Sequence, residues 1–212
     1  MKEFSLAMAL ADFLPVLLFT AAGVLLMRDL YRKMSKGAFA LLAAGVIFIS
    51  CAGILKALYK LLYAAGLCDF QALSDMFFPT QSLGFLLAGL GMLAMLLHRQ
   101  GKGAVYAAAP PLFKGTFVFV SLMVLGLGML DAVLCVLAAR LKKPGVIALF
   151  VLSFVCSLGM GYLSSKDFAR ASMNWIAEGV NVLGQGSLLL GAWLLHQNGL
   201  AELVLKRKGA VE

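Results

Sequence analysis

The chain has 212 residues, of which 62% are hydrophobic and only 13% charged, with a mean hydropathy of +0.96. Soluble domains run at roughly 45–50% apolar and about 25% charged, so this chain lacks the polar surface to cover itself in water and its solvent is expected to be lipid. The net charge of +8 does not indicate nucleic acid, because the Lys and Arg residues cluster at the ends of apolar runs rather than along one face, as anchors and topology signals do.

A crossing of the hydrocarbon core needs roughly 20 apolar residues, and six stretches qualify. The first, 5–27, follows only Lys2 and Glu3 and is too long for the core of a signal peptide, so it is read as a helix. It carries Asp12 and, three residues on, Pro15, whose missing N–H frees a backbone carbonyl nearby. The turn RDLYRKMSKG leads to the second stretch, 38–58, which holds Lys56. The third, 79–98, opens on Thr80 and Gln81 and carries the small pair Gly84 and Ala88. After HRQGKG comes AVYAAAPPLF, too short to cross and read as an interfacial or re-entrant piece. The fourth stretch, 113–139, contains Asp131 and ends at RLKKPG. The fifth, 145–164, repeats Ser153, Ser157, Gly161 and Ser165 every fourth residue, the pattern of close helix approach. The sixth is 174–196.

The two halves align without gaps over 68–101 and 166–199, at a constant offset of 98 that sets His98 on His196. Asp69-Phe70 matches Asp167-Phe168, Ser74 matches Ser172, Leu90 matches Leu188, Ala94 matches Ala192, and LLHRQG matches LLHQNG. Leucine-rich helices match one another by chance, but the shared DF start and LLH-x-x-G end point to duplication. The fold expected is therefore an all-α integral membrane protein of about six transmembrane helices built as two three-helix repeats. The first repeat is 1–101 and the second 117–199, with a connecting interfacial loop at 102–116 and a polar tail at 200–212. Three crossings per unit make the repeat inverted, a recurring plan of secondary transporters with sites near the midplane; a parallel pair would require a further crossing. On the alternating topology the 18 Lys and Arg residues divide evenly between the faces, so orientation is open, although Arg28, Arg32, Lys33 and Lys36 favour a cytoplasmic first loop.

An ionisable residue within a span costs roughly 2.5 to 3.5 kcal/mol and calls for a partner or a function. Asp12, Lys56 and Asp131 fall in the same leaflet on this topology, with Gln81 on that side. The structural alternative is that Lys56 and Lys60 snorkel to the interface and Asp12 reaches headgroups. In the sixth stretch Asn174, Glu178, Asn181 and Gln185 recur at steps of four, three and four on one helical face, extended toward the loop by Arg170 and Asp167. Such a stripe faces protein or water: as a substrate or proton path with Glu178 as its titrating group, or as interhelical glue.

Four cysteines, Cys51, Cys68, Cys135 and Cys156, form no CxxC pair, so neither a disulfide framework nor a metal site is indicated. No enzyme signature is present, and no cofactor is expected. A haem held by His98 and His196 would need both on one face, which an inverted repeat forbids. The leading expectation is a small multi-pass transporter or channel for a small solute in the cell membrane, as in a bacterial inner membrane, with Glu178 or Asp131 exchanging a proton. The alternative is a non-catalytic subunit or sensor that binds a ligand or partner protein. Partners expected are the lipid bilayer, the solute, and a second copy or partner subunit; nucleic acid is not expected.

Overall fold

The computed structural model describes residues 5–97, 116–163 and 171–205, which are all helix and connecting turns. The first apolar stretch is broken into α1 (Leu6–Ala11), capped by the Ser5 hydroxyl accepting from the Met8 N–H, and α2 (Phe13–Leu30). The break falls at Asp12 because Pro15 has no N–H to offer the Ala11 carbonyl. Next come α3 (Lys36–Ala64), capped by Ser35, the short α4 (Ala72–Asp75) and α5 (Phe77–Leu97). The second half holds α6 (Thr116–Arg140), α7 (Pro144–Leu163) and α8 (Ala171–Gln197).

Among the described residues five segments are long and apolar enough to cross a membrane: Leu6–Leu30, Lys36–Ala64, Ala72–Leu97, Val118–Arg140 and Pro144–Leu163. The 27 residues of α8 match them in length, but its Asn, Glu and Gln residues make it less apolar. Between 22 and 44% of the residues in the apolar stretches of the five are buried, so most of their surface faces outward, with Leu17, Val24, Ile47, Val151 and Val155 exposed. A multi-pass membrane protein accounts for such an exterior, since in water contiguous apolar patches of this extent drive association.

The long helices form a closed ring: each packs on the next in chain order, and α8 closes on α2. Their directions follow from individual contacts. Gly23 meets Val46 and Gly53 meets Val16, so α2 and α3 are antiparallel; Gly91 meets Leu42 and Gly84 meets Ile49, so α3 and α5 are too. Gly191 against Phe150 and Gly184 against Cys156 set α7 antiparallel to α8, and a tight turn sets α6 antiparallel to α7. At one end of α2 and α8 Asp12 meets Glu178, and at the other Asp29 meets His196, so these two helices run the same way. It follows that α2, α5, α6 and α8 are parallel and that α3 and α7 oppose them. The second half thus repeats the directions of the first, and the inverted arrangement expected from one crossing per apolar stretch does not hold. That expectation treated α5 and α6 as consecutive antiparallel crossings. They lie side by side in the same direction, with Gly126 so close to the Phe85–Leu86 backbone that any Cβ there would overlap it.

This arrangement also sorts the charges. Among the described residues Arg28, Arg32, Lys33, Lys36, Arg140, Lys142 and Lys143 gather at one end of the ring, whereas Lys56 and Lys60 lie at the other. The basic end is solid, with Leu26, Leu30, Leu134, Leu137, Leu195 and Leu200 in one buried core. There α8 terminates in a left-handed Gly199 (φ +81°), and the Leu200 N–H reaches the Leu195 carbonyl at 3.0 Å, a Schellman closure that explains the glycine of the LLH-x-x-G motif. The matching His98 and Gly101, and the AVYAAAPPLF piece, lie outside the described residues.

Candidate functional site

At the end opposite the basic core the ring encloses a cavity of about 560 Å³. Of the eight polar positions singled out from the sequence, seven line it: Asp12, Lys56, Gln81, Asn174, Glu178, Asn181 and Gln185. The break before Pro15 places Asp12 at a helix junction, and the four-three-four spacing of α8 turns its stripe inward. Because α3 continues to Ala64, Lys56 and Lys60 sit within the helix rather than at its end, and both face the cavity. Snorkelling therefore does not describe them. The Lys60 ammonium pairs with the Asp12 carboxylate, and both side chains are largely buried.

Lys56 is placed differently. Its ammonium stands 3.9 Å from the centroid of the Phe77 ring, a cation–π contact, and it makes no ion pair among the described residues. Glu178, buried on α8, meets Asp12 and lies within electrostatic reach of both lysines. Two acids and two bases from three helices thus face one space, so the cluster is neutral as a whole when all four are charged. The Asp12 and Glu178 carboxyl groups share a side-chain hydrogen bond, and the occluded Gln185 Oε1 has no hydrogen-bond partner among the described residues. Charges and aromatic rings occupy the outer part, nearest the helix ends. Deeper, Phe19, Ile49, Phe85 and Leu127 make an apolar floor, with Phe19 edge-on to Phe85 at 5.9 Å.

Asp131 does not join this cluster. It is 4% exposed on α6, does not line the cavity, and neither carboxyl oxygen has a hydrogen-bond partner among the described residues. The shared leaflet expected for it assumed alternating crossings. Since α6 runs parallel to α2, position 131 lies toward the basic end instead. Ser157 and Gly161 of the small-residue stripe line the cavity, whereas Ser153 is buried beside Gly184; Ser165, Asp167 and Arg170 lie outside the described residues. Gly84 and Ala88 pack on Gly45 of α3, as read from their spacing.

One pair was not singled out from the sequence. At the basic end the Asp29 carboxylate, 4% exposed, lies 2.9 Å from His196 Nδ1, and Arg28 reaches the same imidazole at 2.9 Å. Nearby the Lys33 ammonium donates to the Leu203 carbonyl at 2.7 Å, tying the chain after α8 to the α2–α3 turn. Burial pulls the Lys33 pKa below the usual lysine value, against the opposing pull of Glu202 and Asp29. Asp29 sits within a basic loop motif, where it reads as one charge among several; only the closure of α8 on α2 gives it a partner. Parallel halves remove the geometric argument against a shared haem, but His196 is engaged by Asp29 and Arg28. Among the described residues no His, Cys, Asp and Glu group suits a metal ion. No family model matches the chain, and no curated protein or solved structure shows significant similarity to it.

Proposed function

We propose that the protein is a small-solute transporter of the cell membrane whose substrate site is the cavity inside the ring of α2, α3, α5, α6, α7 and α8. One observation carries this reading: Asp12, Lys56, Lys60 and Glu178 converge on a common space inside a ring of membrane helices. Each such group costs roughly 2.5 to 3.5 kcal/mol to place in a bilayer, a cost that a purely structural bundle avoids by using apolar residues. In this reading α8 is the sixth long crossing, its polar stripe shielded from lipid by the cavity. The halves are a parallel duplication, which also occurs among transporters, related by an axis along the membrane normal. The seven basic residues gathered at one end among the described residues support a cytoplasmic position for that end; in this reading the cavity opens outward and the dry half is the closed gate.

The test is flux into liposomes carrying the purified full chain, with labelled amino acids, sugars and organic acids as solutes. Uptake above protein-free liposomes supports transport, and Glu178→Gln is expected to abolish coupled flux while the protein stays folded. Unchanged pH-dependent flux in that variant would reject the role of Glu178. No flux for any solute, together with co-purification of another protein, would favour a ligand-binding subunit or sensor, a reading supported by the solid packing of the basic half.

A further inference from the structure

The four charged groups of the cavity are not equivalent once their partners are counted. The Asp12 and Glu178 carboxyl groups hydrogen-bond each other, which requires a proton between them, so the pair carries one negative charge. The Lys60 ammonium pairs with Asp12 and neutralises that charge. The other oxygens of the two acids, Asp12 Oδ1 and Glu178 Oε1, are occluded, so the acids serve each other and Lys60 rather than the cavity space. Lys56 is left over. Its ammonium lines the cavity, is not occluded, and makes no hydrogen bond or ion pair among the described residues. It rests on the face of the Phe77 ring, a contact that steadies the charge and leaves its N–H donors without an acceptor oxygen. Gln81 on α5 and Asn181 on α8 line the same space, and their side-chain amides make no hydrogen bond among the described residues. The cavity therefore holds one uncompensated positive charge, neutral donors on two further walls, and the apolar floor of Phe19, Ile49, Phe85 and Leu127.

We propose that the substrate is a small monocarboxylate with an apolar body, held by Lys56; this rests on the reading of the cavity as a substrate site. Its carboxylate accepts from the Lys56 ammonium in a charge-assisted hydrogen bond, with the amide N–H groups of Gln81 and Asn181 as further donors in the same cavity. Its body lies over Phe19, Ile49, Phe85 and Leu127. The class follows from the charge left over. A bound monoanion makes the site neutral, which a low-dielectric space favours. A neutral solute or a zwitterion leaves the Lys56 charge uncompensated, a cation adds to it, and a dianion leaves one negative charge in its place. An inorganic anion matches the charge but leaves the apolar floor bare. Carboxylates with an apolar body come from water or, as fatty acids, from the bilayer; the two sources differ in chain length.

The experiment is ligand-induced thermal stabilisation of the full chain in lipid-free detergent at neutral pH. The probes are isocaproate, isocaproamide, isohexylamine, leucine, glutarate and palmitate. Isocaproate is expected to bind at least tenfold more tightly than its amide, the amine, leucine or glutarate. Lys56→Met is expected to reduce the preference for isocaproate over the amide to less than threefold, and Lys56→Arg to retain it. Because that preference is a ratio within one variant, a loss of stability does not imitate its disappearance. Equal affinity for isocaproate and its amide in the native protein overturns the assignment, as does an undiminished preference in Lys56→Met. Binding of palmitate without isocaproate overturns a small substrate and makes the site one for a membrane lipid acid. Flux of a sugar or amino acid that depends on Glu178, without isocaproate binding, overturns the carboxylate and leaves transport standing. Isocaproate binding without isocaproate flux supports the carboxylate site and defeats transport.

Discussion

The two ends of the helix ring solve the same problem in opposite ways. At the basic end α2, α6 and α8 meet through leucines, with Asp29 paired to His196 and Lys33 to the Leu203 carbonyl, while Asp131 is buried toward that end with no hydrogen-bond partner among the described residues. At the cavity end the helices enclose a space onto which charged groups from the α1–α2 junction, α3 and α8 converge, with Asp12 meeting both Lys60 and Glu178. A dry end gains stability from packing and has little to exchange with a ligand. An end that holds charged side chains around a cavity gives up some stability for groups that a solute can reach. The contrast shows that burial of charge alone does not mark function here, since Asp29 and Asp131 are as buried as Glu178; the difference lies in whether the buried groups converge on a common space.

The sharpest way to break this comparison is to ask whether the two basic loops share a side. With the native cysteines other than Cys68 replaced, cysteines put separately at Lys33 and Lys142 are expected to label from the same face, and exposed Cys68 from the other. Labelling of Lys33→Cys and Lys142→Cys from opposite faces would dismantle the helix directions and the charge sorting together. A large energetic effect follows at the cavity end. Asp12→Ala leaves the Lys60 ammonium buried without its carboxylate, expected to destabilise by about 3 kcal/mol, and adding Lys60→Met should restore most of it. Thermal unfolding in detergent reads both; no rescue by the double variant would mean that the pair is not the issue.

At the basic end the expected loss is smaller. Asp29→Ala removes the acceptor of a half-exposed imidazole that Arg28 also contacts, and about 1 to 2 kcal/mol should be lost without any change in ligand affinity. A changed affinity would show that the two ends are coupled. The smallest effect concerns the turn between α6 and α7, where Lys142 adopts φ 56° and the Lys143 N–H closes on the Ala138 carbonyl. Glycine relieves that left-handed strain at some cost in unfolded-chain entropy, so Lys142→Gly should stabilise by about 0.5 kcal/mol. A destabilised variant would mean that the lysine side chain contributes to the basic end in its own right.

Much of the candidate site was legible because helical periodicity is local. The spacing of Asn174, Glu178, Asn181 and Gln185 puts them on one face whatever the helix packs against, and the cost of burying charge in lipid singled out Asp12 and Lys56 without any coordinates. Lys60 was harder, since a lysine near the expected end of a span reads as an interface anchor, and only the extra turns of α3 bring it inside. Asp131 was legible as a buried acid, but its level in the bundle was not.

By itself the amino-acid sequence determined the membrane environment, the apolar helices apart from the break at Asp12 and the last turns of α3, and the polar faces. These follow from composition and from 3.6-residue geometry, which act over single segments. Only the tertiary structure decided that α5 and α6 run side by side in one direction, that the halves are therefore parallel, and that Asp29 meets His196. Helix direction in a bundle depends on which surfaces fit each other across the chain, as at Gly89 and Gly126, and no local pattern of hydrophobicity records that.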